Sequence, residues 1–293
     1  MILTIQQGVD AAAPGDTVLV RPGAYANPEV GQYWPPAVFI GSDKPGLKLR
    51  ALGSPGSVKI VGPGLGRGIL PAADNVLVEG FDISGFDTGI SGGSARDARI
   101  TGNRIHGCAA DCIVLSGATS WEIDHNTLDG GQRGIFLNGW PGAGPNQGHH
   151  LHHNLVKNAG AGIFLWQSPA CKIDQNEISE HGEFGIYLAS SPNCLANHNL
   201  ASNNGLVGIL LGGSAGCTVA NNQADNNGVW GIAVGSSCGS LFAHNTAQGN
   251  GEYDLFAPNW DSEAGCNTYR ENRGDTAVPS LALWDAKSAK HLK

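Results

Sequence analysis

Carboxylates and histidines stand at fixed distances before an asparagine that recurs along this chain. Asp124, His152 and Asp174 each lie two residues before one of these asparagines. If the repeating units stack in register, the three side chains form one outward column with neighbouring members a few ångströms apart. Two carboxylates and an imidazole in this arrangement could bind a divalent cation, with Ca²⁺ as the candidate ion, or they could share a proton. A solvated ladder of opposite charges is the alternative.

A parallel column begins four residues before the same asparagines. It consists of Glu122, His150 and Lys172. Imidazoles and amines are the usual acceptors in general base catalysis. His150, His152 and Lys172 are therefore the candidates for a catalytic base.

A third polar group lies one to two residues before a recurring strand that contains a glycine followed by an aliphatic residue. Its members are Asp111, Arg133 and Glu183. Together they offer a cation, which could hold a substrate carboxylate, and carboxyl groups for acid–base chemistry. We predict catalytic roles for Asp111 and Arg133 and a substrate contact for Glu183.

Aromatic residues follow on the same strands. Alternation directs Phe136, Phe164 and Tyr187 outward on consecutive copies, with Trp166 beside them. Such a column is unfavourable on a bare surface, so it predicts either a platform for sugar rings or cover by another segment. In the first case Phe164 and Trp166 bind substrate, and Tyr187 is the candidate acid.

One interval in the repeat is longer than the others. Between Asn126 and Asn154 it spans 28 residues instead of about 23, and the insertion covers residues 138–149. It is rich in glycine and proline, and long loops on rigid scaffolds are frequent sites of function. We therefore include Asn138 and Trp140 among the predicted substrate contacts, with a neutral surface insertion as the alternative.

The elements that must position these groups follow from the repeat itself. Each unit reads as three short strands with period-two alternation, separated by glycine and asparagine corners. Asparagine tolerates positive φ at a sharp corner and can hydrogen-bond from unit to unit, so the ladder is predicted to be structural. It comprises Asn103, Asn126, Asn154, Asn176, Asn199, Asn222 and Asn245.

Cysteines share the same spacing. Cys171, Cys194 and Cys217 are 23 residues apart, which predicts an interior column of small apolar thiols. Cys108 and Cys112 could form a disulfide. The odd total of seven favours mostly free thiols.

This pattern resembles the right-handed parallel β-helix proteins of the pectate-lyase-like superfamily, over residues 69–257. The resemblance implies an all-β, single-domain solenoid of about ten coils. Residues 1–16 are predicted to cap it, with Ile5 and Val9 on one face of a short helix. Residues 1–257 would form the solenoid with its cap, and residues 258–293 a tail packed against it through Leu281, Leu283 and Trp284.

A closer local resemblance covers residues 111–128, where an aspartate opens one strand and an Ile-Asp-His sequence follows, as in pectate lyases. In that family the position of Asp111 lies in the calcium-binding region. The next coil departs from the family, because it reads Arg133-Gly-Ile-Phe-Leu-Asn and brings no further acidic ligands. The family's Arg-x-Pro catalytic segment has no evident counterpart.

Composition limits the partners. A net charge of −8 argues against a nucleic-acid partner. No segment reaches 18 consecutive apolar residues, so no membrane span is predicted. The resemblance implies a secreted or periplasmic protein. The first residues lack a basic segment followed by an apolar run, so a cytoplasmic location stays open. The sequence leaves the oligomeric state open.

The leading hypothesis is a carbohydrate-active enzyme on a polysaccharide or oligosaccharide, most simply a lyase that cleaves a uronate-containing glycan by β-elimination. A glycoside hydrolase would instead pair Asp111 with Glu183, or Asp124 with Asp174. The third hypothesis is a non-catalytic binding module, resembling β-helix proteins of periplasmic metal delivery or phage adhesins. The lyase hypothesis requires the Arg133 group and the His150 group to face one groove.

Overall fold

The computed structural model describes residues 4–27, 29–32, 35–257 and 266–278. Its chain winds into a parallel β-solenoid with three sheets, here called A, B and C, which confirms the predicted fold class. Up to the last strand of each sheet, every strand pairs in parallel with the strand of the same sheet in the next coil. After β23, Leu200–Ser202, the side that holds sheet B continues within the described residues only as isolated bridges, such as Leu200 with Gln223.

Sheet A has eleven strands and sheet B has eight. The strands of sheet A are β1 Thr17–Val20, β4 Lys48–Ala51, β7 Leu77–Glu79, β10 Arg99–Thr101, β13 Glu122–Asp124, β16 His150–His152, β19 Lys172–Asp174, β22 Leu195–Asn197, β25 Thr218–Ala220, β27 Leu241–Ala243 and β29 Thr268–Arg270. Those of sheet B are β2 Gly23–Ala26, β5 Val58–Val61, β8 Asp82–Ser84, β11 Arg104–His106, β14 Thr127–Asp129, β17 Leu155–Lys157, β20 Glu177–Ser179 and β23 Leu200–Ser202.

Sheet C also has eleven strands, and its central members are longer than those of the other sheets. They are β3 Val38–Ile40, β6 Arg67–Pro71, β9 Thr88–Gly93, β12 Asp111–Ser116, β15 Arg133–Asn138, β18 Ala161–Trp166, β21 Phe184–Ala189, β24 Val207–Gly212, β26 Trp230–Gly235, β28 Tyr253–Phe256 and β30 Ala277–Val278.

The core is built from inward columns of aliphatic residues. In sheet C, Ile135 pairs with Ile163 and Leu137 with Leu165, and all four are fully buried. Burial of one such column member in every coil supplies the main favourable free energy of folding. Glycines precede the isoleucines because a Cβ at Gly162 would meet a backbone oxygen and the His181 ring at under 3 Å.

The N-terminal helix α1, Ile5–Ala11, lies against the first coil. Thr4 and Gln7 form a reciprocal capping box at its start, and Ile5 and Val9 are buried, as predicted. At the other end, β29 and β30 extend sheets A and C, so the solenoid continues beyond residue 257. Leu281, Leu283 and Trp284 lie outside the described residues.

The asparagine ladder is structural, but the corner argument for it is wrong. None of its members has positive φ; the left-handed residue is the one before it, such as His125, His153 or His198. These histidines are exposed corner residues, not packing residues. The ladder exists for hydrogen bonding, as Asn176 shows: its amide donates to the Leu151 carbonyl, and its oxygen accepts from the Asn154 backbone.

Two further ladders run along the corners. In the first, the hydroxyl oxygens of Ser191 and Ser214 each accept a hydrogen bond from the backbone N–H of the serine one coil earlier, beginning with Ser168. The second is the predicted thiol column, in which the sulfur atoms of Cys194 and Cys217 accept from backbone N–H groups in the same way. Cys108 and Cys112 are free and buried. The disulfide joins Cys238 and Cys266, a pair that the spacing did not indicate.

Two buried histidines begin ladders that other residue types continue. The Nδ1 atom of His181 accepts from the Ala159 backbone, and in the next coil Asn204 has the same role. His149 lies one coil before Cys171 at the start of the thiol column, and its Nδ1 atom accepts a hydrogen bond from the Trp121 backbone N–H. Burial lowers the pKa of each to about 4.

These histidines predict a loss of stability in acid. Their pKa is lower in the folded chain than the value of about 6.5 in the unfolded one, so the unfolded state binds more protons between pH 4 and 6.5. The free energy of unfolding therefore keeps its complete histidine contribution above pH 6.5, and it falls by about 3 kcal/mol per histidine as the pH drops to about 4. Urea unfolding at several pH values measures it.

His181→Asn is the matched variant, because asparagine continues the ladder that starts in the next coil. It should remove about half of this pH dependence and keep the stability at neutral pH. An unchanged slope between pH 6.5 and 4 would show that His181 does not carry the effect.

Candidate functional site

The outer face of sheet C carries the aromatic column that the sequence predicts. Phe136, Phe164 and Tyr187 pair in register on successive strands. Their ring centroids are 5.3 Å and 5.1 Å apart, and the second pair is nearly parallel, at 8°. Phe136 is buried by its neighbours, whereas Phe164 and Tyr187 are half-buried and present ring surface outward.

Arg133 begins its strand at the edge of this column. Its Nε and Nη2 atoms donate to the two carboxylate oxygens of Asp111 at 2.6 and 3.1 Å. The guanidinium carbon lies 3.7 Å from the centroid of the Phe136 ring. Planar arginine is well suited to both contacts, which fix its orientation. Asp111 leaves Nη1 to other acceptors.

Asp111 is 5% exposed, and its environment has two opposing effects. Burial disfavours the ionised carboxyl and raises its pKa, and the hydrogen bonds and charge of Arg133 oppose that rise. Both oxygens of Asp111 are engaged by one arginine. The residue therefore positions Arg133 and is poorly placed to act on a substrate itself.

A cavity of about 620 Å³ opens beside these groups. Arg133, Phe164, Glu183 and Tyr187 line it, with Phe184 on the same side. Glu183 is exposed and directly precedes β21. The cavity thus combines a cation, an exposed carboxylate, a phenol and stacked rings.

The other predicted substrate contacts lie at the far end of the same strands. Asn138 is five residues beyond Arg133, about 17 Å along the strand. It pairs with Trp166, whose ring centroid is 5.8 Å from that of Trp140. Trp140 is 57% exposed, and the Asn138 side-chain oxygen is buried without a partner in the described part of the chain. Asn138, Trp140 and Trp166 thus cluster near the ends of these strands, where their substrate role stays a prediction.

The inserted loop is only partly a protrusion. Asn146 and His149, in its second half, are buried and belong to the corner ladders. The other residues of the insertion are half-buried or exposed, at the corner between sheets C and A. The predicted thiol column did not include His149, although its separation of 22 residues from Cys171 is one period and could have revealed this position.

His150, His152 and Lys172 lie on sheet A, not on sheet C. They follow the corner that ends the sheet C strand, whereas Arg133 begins that strand. Arg133 and these base candidates therefore do not face one substrate position. The catalytic group that combined Arg133 with His150, His152 or Lys172 is not assembled.

The predicted column on sheet A does form in register, with Asp124 beside His152 and His152 beside Asp174. Hydrogen-bonding divides it. The Asp124 carboxylate accepts hydrogen bonds from Arg99, Thr101 and His125. The Asp174 carboxylate instead forms an ion pair with Lys172 at 3.3 Å.

Two groups on this face have shifted pKa values. Burial opposes ionisation of Asp124, but the hydrogen bonds from Arg99, His125 and Thr101 outweigh it and lower its pKa to about 2. Partial burial, together with the charges of His152 and Lys172, lowers the pKa of His150. Its Nε2 atom has no partner among the described residues.

Comparison with known proteins places this chain in the class of parallel β-helix solenoids. The sequence profile described as "Right handed beta helix region" matches residues 62–146 and 144–272. The chain belongs to the right-handed β-helix family. A comparison with curated protein sequences gives no significant match.

Several solved structures share the fold. The A-module of mannuronan C-5 epimerase AlgE6 from Azotobacter vinelandii is 17% identical, with a TM-score of 0.74 over 86% of this chain and 74% of that one. An alginate lyase from Paenibacillus sp. str. FPU-7 is 13% identical, with a TM-score of 0.63 over 84% and 92%. The Dettilon tailspike protein is 18% identical, with a TM-score of 0.66 over 92% and 59%.

Proposed function

We propose that this chain binds a uronate-containing polysaccharide on the outer face of sheet C and cleaves it by β-elimination. The observation that carries the proposal is Arg133, held by Asp111 and stacked on Phe136 at the edge of a cavity with stacked rings. A cation beside aromatic platforms matches a sugar that bears a carboxylate. The structures named above as an alginate lyase and a mannuronan epimerase support the substrate class.

Arg133 supplies the electrostatic part of the reaction. A uronate carboxylate that accepts from its Nη1 atom gains a charge-assisted hydrogen bond. That bond strengthens as negative charge develops on the carboxylate when the C5 proton leaves. Because Asp111 and Phe136 already fix the guanidinium, little reorganisation accompanies the reaction.

The proton transfers fall to the two ionisable residues that share the cavity with Arg133. Glu183 takes the C5 proton, the C4–O bond breaks as the C4–C5 double bond forms, and Tyr187 protonates the departing oxygen. Glu183 replaces the base candidates on sheet A, because it lines the same cavity as Arg133 and Tyr187. The rings of Phe164 and Tyr187 hold the sugar by its apolar face.

Hydrolysis by paired carboxylates fits the geometry less well. It needs two carboxyl groups that can reach water and the glycosidic oxygen. Asp111 is engaged at both oxygens by Arg133, and Asp124 is engaged at both by Arg99. Neither predicted pair therefore has two available members.

We further propose an oxidising location, secreted or periplasmic. The disulfide between Cys238 and Cys266 supports it, since such bonds persist mainly outside the reducing cytosol. In the part of the chain that the structure describes, no helix is long and apolar enough to cross a membrane.

Incubation with a panel of uronate and neutral polysaccharides tests the function. We expect ultraviolet absorbance from the unsaturated product with a uronate polymer and none with a neutral one. New reducing ends without that absorbance would indicate hydrolysis. Retention in a gel containing the polymer, with neither signal, would indicate a binding module, and no retention would refute the proposal.

A further inference from the structure

The outer face of sheet A holds a second set of groups that the proposed reaction does not use. Glu122 and Asp124 lie two residues apart on β13, and His152 lies on β16 in register with Asp124. One ligand atom from each lies within 4.8 Å of the other two. We propose that Glu122, Asp124 and His152 form a binding site for Zn²⁺.

The distances suit that ion. The His152 Nε2 atom lies 2.9 Å from Oε1 of Glu122. Tetrahedral Zn²⁺ with ligands at about 2.0–2.2 Å places its donor atoms about 3.3 Å apart. The donor atoms therefore need adjustments of up to about 1.5 Å, which the half-exposed Glu122 side chain can make. A water molecule would complete the coordination.

The donor types distinguish zinc from calcium. Ca²⁺ takes six to eight oxygen ligands, whereas Zn²⁺ readily combines imidazole nitrogen with carboxylate oxygen. The Nδ1 atom of His152 lies 2.9 Å from Nδ1 of His153, so a neighbour orients the ring from its other side. Metal-bound histidines usually have such a partner.

The predicted third ligand changes as well. Asp174 interacts with Lys172 and accepts from Asn197, and it lies outside the group of three. Glu122 takes its place, because it extends from the same strand as Asp124 and contacts His152 directly. The i, i+2 spacing on one strand thus replaces the column across coils.

Arg99 is the competing cation. Its Nε atom lies 2.8 Å from Asp124 and 3.5 Å from Glu122, and its side chain is 45% exposed. It can therefore neutralise the two carboxylates without the ion and move into solvent when the ion binds. The geometry predicts that Arg99 weakens zinc binding.

Isothermal titration of the metal-free protein with ZnCl₂, with unfolding curves for each variant, tests the site. We expect one equivalent of Zn²⁺ to bind, and excess Ca²⁺ not to displace it. Glu122→Gln and His152→Ala should each weaken binding at least tenfold. Asp174→Asn is the matched control and should bind as the parent does. Arg99→Gln should bind more tightly.

Several outcomes would overturn the site. They are no binding, equal affinity in His152→Ala, or a loss in Asp174→Asn as large as that in Glu122→Gln. Loss of binding in a His125→Ala, His153→Ala variant, with Glu122→Gln unaffected, would place zinc on the exposed corner histidines instead. None of these measurements depends on polysaccharide cleavage, so the two proposals fail separately.

Discussion

Replacing Arg133 and Asp111 together, as Arg133→Gln with Asp111→Asn, is expected to lower cleavage of a uronate polysaccharide by about 10²–10³-fold. The loss follows from the proposed function, because the variant has no cation to stabilise the charge that develops on the uronate carboxylate. Removing Arg133 alone would leave the buried Asp111 carboxyl unpaired and destabilise the fold. The double change keeps a neutral hydrogen-bonded pair of similar size. Initial rates of unsaturated product formation measure the effect.

The chain provides a matched control for this experiment. Arg104 on sheet B donates to Asp82 at 3.3 Å, and Asp82 is as buried as Asp111. Arg104→Gln with Asp82→Asn therefore removes the same charges from another face. We expect it to retain activity. If both double variants keep the parent rate, Arg133 does not bind the reacting sugar; if both lose it equally, the effect is one of folding or net charge.

The register of the side chains could be predicted because each coil is one period of the sequence. Aligning the asparagines placed Phe136 beside Phe164 and Asp124 beside His152, and both pairings are present. Parallel pairing in every sheet transfers a spacing along the chain directly into a neighbour in space. The same arithmetic finds the buried His181, which stands 23 residues before Asn204.

The sequence could not show which groups share a face, because that depends on the corners. In most coils the sheet A strand begins six residues after the sheet C strand ends, as Lys172 follows Trp166, yet the turn between them directs the two strands into different sheets. Nor does spacing reveal which partner a charged group takes. Asp124 is engaged by Arg99 from the preceding coil, a contact that the column does not reveal and that a bound Zn²⁺ would have to displace.

A second large effect is expected from the ladder itself: Asn176→Ala should lower the free energy of unfolding by about 2–5 kcal/mol. The amide of Asn176 satisfies the buried Leu151 carbonyl, and its oxygen satisfies the Asn154 backbone N–H. Alanine leaves the buried Asn154 N–H without a partner, which costs about 1–3 kcal/mol, and the loss of the amide's own hydrogen bonds to Leu151 and Asn199 costs about 1–2 kcal/mol more. Urea unfolding followed by circular dichroism measures the change, with a single transition as the condition for comparing free energies.

Asn203 separates this explanation from the corner hypothesis. It is exposed and has a φ of 59°, so Asn203→Ala tests the cost of a left-handed corner, about 1–2 kcal/mol, without breaking a ladder. If asparagine recurred because corners need positive φ, Asn203→Ala would be the costlier change and Asn176→Ala nearly neutral. The hydrogen bonds predict the opposite order. That order follows from which buried backbone groups lose their partners, because the residue that takes the left-handed conformation beside Asn176 is Gln175.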